Sequence, residues 1–387
     1  MSDAPFTGIK VVELAVALAA PSAAAVLGDW GAEVLKVEGL TGDPQRFNTQ
    51  NAYFQLDNRG KRSLSVDLKT EAGRAILLRL LDEADVFVTN IRPAGLARLG
   101  LDPDSVAARC PRLVYAAVSG YGLEGPAADK AGYDIGAFWS RAGVAAALVG
   151  PGVEPPVLRP GMGDHTAAIS LVAAVGAALF DRARTGRGRL VSTSLVRSGA
   201  WVVSSDLAAH MAGEHPEPGL KRALYNPLLG CYQAADGGWF WLLGLEATRH
   251  WPNVAAAVGR EELVADPRFD SFGGLITHRD ALIAILDEEF AKHTLAEWAE
   301  RFDAHDVWWD PVQDFDGVTG DPLMHAAGAF RPMEGGRTMI APPADVGVEL
   351  GEVAQAPEMG QHTEEVLLEL GYDWDQIAAL KEQNVIP

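Results

Sequence analysis

The chain is poor in cysteine. Cys110 and Cys231 are the only two, far apart and without a CxxC or a cluster of histidines beside them. Neither a disulfide framework nor a structural metal site is expected from such spacing. Positive charge is scarce too: 32 Lys and Arg stand against 52 Asp and Glu, a net charge of -20. That balance opposes nucleic-acid binding, which needs a basic face to neutralise phosphates. It still permits a local basic pocket for a small phosphorylated ligand. Long apolar runs are missing: Thr166 to Phe180 is the most apolar stretch, short of the ~20 residues of a membrane span. The opening MSDAPFTGIK has no charged start followed by an apolar segment, so no secretory signal is expected. There is no GxGxxG after the first strand, no Walker-type GxxxxGK, no GxSxG and no HExxH. Glycine-cradled dinucleotides, serine-elbow hydrolysis and zincin chemistry therefore lack their scaffolds. The expectation is a soluble, acidic, cytoplasmic globular protein with no metal, nucleic-acid or membrane partner.

What is present organises into two patterns. Over the first half, β-branched runs at Ile9–Leu14, Glu33–Glu38, Val86–Asn90, Leu113–Val118 and Leu190–Leu195 alternate with helical patterns at Pro21–Trp30, Thr70–Glu83 and Asp164 to about Thr185. Near-continuous apolar strands separated by helices predict an α/β fold with a parallel sheet covered on both faces. After Ala200 the pattern changes. Gly, Pro, Glu and His crowd into Met211–Pro227, then Tyr232–Leu243 reads as a hairpin turning at Asp236-Gly237. Amphipathic helices follow around Arg249–Val258, His278–Ala291 and Leu295–Ala304, and a helix pair closes the chain. The predicted organisation is a large α/β domain over 1–205, a linker over 206–226, a small α+β domain over 227–328 and a return to the large domain over 329–387.

Four local features carry chemistry. Gly161-Met162-Gly163-Asp164-His165-Thr166 opens a long apolar helix. Asp164 there is either a helix cap or a carboxylate nucleophile kept ionised by the helix dipole. Asn90-Ile91-Arg92-Pro93, with Arg98 beyond, sits at a strand's carboxyl end, where parallel sheets bind ligands and arginine suits phosphate. Asp57-Asn58-Arg59-Gly60-Lys61-Arg62, followed by Lys69, is a cationic cluster in an acidic chain: a phosphate site or a solvated turn. Lys130 precedes Gly132-Tyr133-Asp134, a pair that is structural or catalytic. Six tryptophans, Trp239, Trp241, Trp251, Trp298, Trp308 and Trp309, crowd the second half as core or as a ligand box.

In order and spacing these features resemble the class III coenzyme A transferases, the family of formyl-CoA:oxalate and carnitine CoA-transferases and α-methylacyl-CoA racemases. The resemblance runs from Gly8–Leu14 and Leu27–Val34, through Asn58–Ser63, Asn90–Pro93, Gly163-Asp164 and Thr185–Gly188, to His362–Leu367. It implies a Rossmann-like large domain, a small domain and a homodimer of interlocked rings. It also implies that Asp164 is the catalytic carboxylate and that Asn90, Arg98, Lys69 and Lys130 contact coenzyme A, with Arg59 of the basic turn a further contact. Coenzyme A enters as substrate, with acyl-CoA and a carboxylic acid as partners and no permanently bound cofactor.

Departures from the family pattern bear on the reaction. Tyr133 stands where the racemase branch has a histidine base, and a tyrosine of ordinary pKa near ~10 is a poor base at neutral pH. Glu246 resembles a glutamate that the racemases use. Leu18 replaces a glutamine of the oxalate-specific enzymes, whose tetraglycine loop is absent, and Gly39 falls near the arginine that packs on the adenine in several members. The expected activity is CoA transfer through an aspartyl anhydride and an aspartyl-CoA thioester. A 2-methylacyl-CoA racemase and a non-catalytic acyl-CoA-binding protein are the competing readings. Trp308 and its neighbours are the segment expected to shape the acyl pocket.

Overall fold

The computed structural model describes residues 4–47, 51–215 and 226–387. It divides into two units: Met1–Ala146 with Pro155–Glu214 and His325–Pro387, and Ala147–Glu154 with His215–Met324.

The first unit is built on β1 (Lys10–Leu14), α1 (Ala19–Asp29), β2 (Glu33–Glu38), α2 (Asn51–Asn58), β3 (Arg62–Ser65), α3 (Glu71–Glu83), β4 (Val86–Thr89), α4 (Pro93–Leu99), α5 (Pro103–Arg109) and β5 (Val114–Ser119). A π-helical turn, Ile135–Arg141, and a short α6 (Val144–Ala147) lead to α7 (Met162–Thr185), β6 (Leu190–Ser194), α8 (Leu195–Val202) and α9 (Ser204–Met211). Six strands form one sheet in the order β3-β2-β1-β4-β5-β6, and every pairing is parallel. The order reverses between β1 and β4. Connections leave in opposite directions there and open a crevice beyond the strand ends, the usual ligand position in such sheets. The predicted parallel sheet is present, with one strand, β3, that the sequence shows only as the exit of a basic turn.

Two apolar layers flank the sheet. On one side α1, alanine-rich and buried from Ala19 to Leu27, lies against α7; small side chains let the helices approach closely. On the other, Ile76, Leu77, Leu80 and Leu81 of α3 pack with Val366, Leu367, Ile377 and Leu380. These last residues come from α16 (Thr363–Glu369) and α17 (Trp374–Glu382) at the chain end.

Two sequence expectations change here. Helix α7 has 24 residues and is long and apolar enough to cross a membrane by length and composition, beyond the short run read from sequence. Its buried positions, Gly163, Ala167, Ala168, Leu171, Val172, Val175 and Ala178, form one stripe, the signature of a helix lying on a core. The expected linker starts inside α9, and residues 216–225 lie outside the described residues.

In the second unit, β7 (Cys231–Gln233) and β8 (Trp239–Leu242) make the predicted hairpin, with Tyr232 opposite Phe240. Helices α10 (Ala247–Ala257), α11 (Phe272–Thr277), α12 (Arg279–Phe290) and α13 (Leu295–Ala304) follow, and β9 (Trp309–Pro311) joins β8 antiparallel. Helix α14 (Phe315–Gly320) follows; across α15 (Pro322–Ala326) the chain returns to the first unit, where β10 (Phe330–Met333) and β11 (Arg337–Ile340) form an antiparallel pair. The tryptophans divide. Trp251 and Trp298 are core residues, the latter stacked on Phe302, whereas Trp239, Trp241 and Trp308 are exposed.

Candidate active site

A cleft of about 790 Å³ opens at the carboxyl ends of β1, β4 and β5, at the point where the strand order reverses. Its wall includes the loop Val16–Leu18 after β1, Asn90 to Arg98 after β4, Ser119-Gly120 after β5, Asp129–Ile135, and Gly161 and Asp164 at the head of α7.

The loop after β1 is held from three sides. The Asn90 side chain donates to the Val16 carbonyl at 2.6 Å and accepts the Val16 N–H at 3.1 Å. Asp43 accepts the Ala17 N–H at 3.3 Å, and the Lys36 ammonium donates to the Ala15 carbonyl at 3.2 Å. Ala17 is thereby kept at φ 64°, a left-handed conformation that a residue with a Cβ adopts at a cost. Asn90, expected as a ligand contact, lines the cleft while its amide shapes this loop.

The two readings of Asp164 separate at the start of α7. The Asp134 carboxylate, 8% exposed, takes the Gly163 N–H at 3.1 and 3.2 Å on its two oxygens. Asp134 therefore answers an orphan amide of the helix start, and Asp164 lies in the first turn, on the wall of the cleft. Burial pushes the Asp164 carboxyl up to about 7; Asp134 and Asp57 add to the rise, and His165 opposes it. Desolvation and neighbouring carboxylates both disfavour the charged form.

The cations of the cleft are Arg92, Arg98 and Lys130, with Asp129 between them. Arg92 donates to the Asp129 carbonyl at 3.2 Å, and the Lys130 ammonium lies 5.0 Å from the centre of the Tyr121 ring. Tyr133 is 76% exposed on the rim. Leu18, Val118, Ile135, Leu158 and Leu195 supply the apolar wall.

Two expected contacts are elsewhere. The Arg59 guanidinium is buried, ion-paired with Asp29 at 2.5 Å, and Arg331 meets the same carboxylate at 2.8 Å. Its neighbour Lys61 is also buried, on Glu13 at 2.6 Å. Arg59 and Lys61 of the basic turn are thus internal charges, whereas Arg62 is half-buried on Glu365 and Glu369. Lys69 is exposed and does not line the cleft. Among the described residues no group of three or more His, Cys, Asp or Glu is placed to hold a metal ion.

CoA-transferase family III matches residues 6–363 of this sequence. The chain belongs to that family. It is 33% identical to (R)-2-hydroxy-4-methylpentanoate CoA-transferase of Clostridioides difficile, over 98% of each chain. It is 31% identical to cinnamoyl-CoA:phenyllactate CoA-transferase of Clostridium sporogenes, over 98% of this chain and 97% of that one. A crystal structure of a CAIB/BAIF family protein from Brucella suis superposes with a TM-score of 0.85 at 29% identity, covering 95% of this chain and all of the other. The protein is a class III CoA-transferase, transferring coenzyme A between acyl-CoA and carboxylic acids.

In the second unit of the transferase, Glu246 is exposed and pairs with Arg249 at 3.2 Å. Trp308 lies against His250, ring centres 4.6 Å apart, with the Arg249 guanidinium 5.4 Å from its ring. Sequence reasoning missed two residues of the first unit. Asp134 was legible only as half of a Tyr-Asp pair. Asp57 had one signal: with Phe54 and Asn58 it falls on the buried face of α2, an odd place for a carboxylate.

Gly163 tests how helix α7 is seated. A Cβ at this position overlaps Asp134 Oδ1 and the Phe138 ring, so Gly163→Ala must displace the capping carboxylate. Overpacking of this kind costs about 1–3 kcal/mol. A lower melting temperature together with at least a tenfold lower rate of CoA transfer is the expected result (about 1.4 kcal/mol per factor of ten); an unchanged melt and rate would show that the helix start yields freely.

Proposed function

We propose that the transferase works through Asp164 as a covalent carrier. The carboxylate attacks the thioester carbonyl of the donor acyl-CoA, forming an aspartyl–acyl anhydride and releasing CoA thiolate. The thiolate attacks the aspartyl carbonyl, giving an aspartyl-CoA thioester and the free donor acid. The acceptor carboxylate then attacks that thioester, forming a second anhydride and releasing the thiolate again. Attack of the thiolate on the new acyl carbonyl yields the product acyl-CoA and regenerates Asp164. Each step exchanges one activated acyl bond for another, so no ATP is consumed. Dividing a difficult exchange into easier ones is the usual gain of nucleophilic catalysis.

The observation that carries this reading is the division of labour at the head of α7: Asp134 caps the helix, and Asp164 is left on the cleft wall. The nucleophile is the ionised form, and burial holds this group near 7. Transfer is therefore present above about pH 7 and falls as pH drops through it. Arg92, Arg98 and Lys130 are the cations offered to the CoA phosphates. Asn90 acts on them through the loop it shapes. Tyr133 supplies no histidine-type base, which favours transfer over racemisation.

We propose further that the acceptor is a bulky apolar or aromatic acid, with 2-hydroxy acids the first class to try. The apolar wall formed by Leu18, Val118, Ile135, Leu158 and Leu195 supports this, as do the names of the two similar transferases, which act on 2-hydroxy-4-methylpentanoate and phenyllactate. The test is a panel of acceptor acids with one CoA donor: 2-hydroxy-4-methylpentanoate and phenyllactate against succinate and glutarate. Preference for the apolar pair supports the assignment; preference for the diacids rejects it. Hydroxylamine added during turnover should mark Asp164 in the wild type, and an unmarked Asp164 in an active enzyme would remove the covalent carrier.

Two copies are proposed to interlock as a homodimer, in the cytoplasm. The family resemblance supports the dimer, as do the exposed Phe180, Trp201, Val202 and Met211 on α7 to α9. Among the described residues neither Cys110 nor Cys231 is in a disulfide, which suits a reducing compartment. A single-chain mass by light scattering would count against the dimer.

A further inference from the structure

Helix α2 buries Phe54, Asp57 and Asn58 on one face. Asp57 is 1% exposed, and a carboxylate taken out of water at that depth is costly unless a cation answers it. Lys61 is felt through its charge but makes no ion pair with this carboxylate among the described residues. Its ammonium is held by the Glu13 carboxylate, the Pro21 and Asp57 carbonyls and the Asn58 side chain. Asp57 Oδ1 instead meets His165 Nε2 at 3.2 Å, its one ion-pair partner among the described residues. Asp57 Oδ2 is buried and has no hydrogen-bond partner among the described residues. A carboxylate in that position stabilises the imidazolium over the neutral ring. The ring is seated against Gly161, where a Cβ would come within 2.9 Å of His165 Cε1 and 3.1 Å of Nδ1. Gly161, at φ 86°, is thus needed for its lack of a side chain as well as for its conformation.

We infer that Asp57 and His165 form a positioning pair for the transfer: the buried carboxylate holds the imidazole protonated beside Asp164, and that charge keeps the attacking carboxylate ionised against Asp134. This rests on the reading of Asp164 as the carrier and adds to it a reason why a carboxylate crowded by two others still ionises near neutral pH. The groups facing the pair are Asp134 from the segment before the π-helical turn, Asp164 on the same helix, and Lys61 behind Asp57. Lys130, Arg92, Arg98, Asp129 and Tyr133 line the cleft with Asp164. Directions agree with the geometry. Burial pulls the His165 imidazole down, but the Asp57 hydrogen bond and charge, with Asp164 and Asp134, carry it above its ordinary value.

The experiment compares wild type, Asp57→Asn and His165→Gln by the pH profile of kcat/KM. Asp57→Asn keeps an acceptor and removes its charge; His165→Gln keeps a polar neighbour and removes the cation. In His165→Gln the acid limb is expected to move up by about one pH unit, and in Asp57→Asn by less, because that change also removes a carboxylate that disfavours Asp164 ionisation; in both the rate recovers toward wild type at about pH 9 with KM for acyl-CoA little changed. A loss that is the same at every pH, or limbs that coincide with wild type, would reduce the pair to a packing contact. Should Asp57→Asn fail to fold, His165→Gln carries the test alone. The 15N-labelled imidazole gives a readout independent of turnover: His165 should titrate above the ordinary histidine range in wild type and fall back in Asp57→Asn. A ring that titrates normally in wild type overturns the inference even in an active enzyme. Wild type inactive on every acid, with His165 titrating high, would instead overturn the reading of Asp164 and leave the ion pair standing.

Discussion

Asp164→Asn removes CoA transfer, by on the order of 10⁴-fold or more, as expected when the attacking group itself is lost, and yet it stabilises the fold. The stability half follows from the sign of the shift. The Asp164 carboxyl titrates near 7 in the folded protein, against ~3.9 in an unfolded chain. Between these values the folded state holds a proton that the unfolded state releases, so the group's contribution declines as pH rises from about 4 to about 7. Above that range the wild type carries an ionised carboxylate penalised by burial and by Asp134, and the amide carries no such penalty. The melting temperature of Asp164→Asn should exceed that of wild type at about pH 8, with the gap closing toward about pH 5, where both side chains are neutral. Activity assays on the acid panel and melts at the two pH values check both halves. Retained transfer would end the carrier mechanism; a variant less stable at the higher pH would show that the carboxylate has a structural task after all. Stability gained at the expense of function is the pattern of a site arranged for chemistry.

Glu13→Gln carries the largest expected loss of stability. Glu13 lies on β1, fully buried, and its carboxylate answers Lys36 of β2 at 2.8 Å and Lys61 at 2.6 Å. The amide keeps the shape but leaves Lys36 with Asp43, at 2.9 Å, and takes from Lys61 its one ion-pair partner among the described residues. Removing one partner of a buried ion pair costs about 3–5 kcal/mol, because an uncompensated charge stays behind. Burial already pulls the Lys61 ammonium down to about 8, against the attraction of Glu13. Urea unfolding at neutral pH should register the loss, and a change below about 1 kcal/mol, the size of an exposed pair, would mean that the cluster is solvated. Activity should fall as well. Lys36 also holds the Ala15 carbonyl, and Asp43 holds the Ala17 N–H, so the cluster fastens the loop that brings Leu18 into the cleft.

Much of the first unit was legible in the chain. Val11, Val12, Val86, Phe87, Val88 and Val114 fall in runs that only a buried parallel strand needs, and the alternation with helices at Ala19–Asp29 and Glu71–Glu83 specifies a layered α/β sheet. The hairpin at Tyr232–Leu242 was legible from its turn and alternating residues. Asp164 was visible as a candidate because it follows two glycines at a helix start. Its task was open, since a local pattern does not show whether another carboxylate reaches the same amides. Asp134, 30 residues earlier by number, does. The basic turn failed as a phosphate site for the same reason: Arg59, Lys61 and Arg62 look solvated until Asp29, Glu13, Glu365 and Glu369 are brought to them.

The chain by itself determined the elements, the parallel sheet and a carboxylate at the head of α7, because periodicity and helix-start chemistry act between neighbours in sequence. Tertiary structure decided which charges are buried and paired, which acid caps and which one lines the cleft, and that Asp57 meets His165, 108 positions away. Electrostatic energy depends on distance and desolvation in space, and those are set only once the sheet has gathered the segments around its crevice.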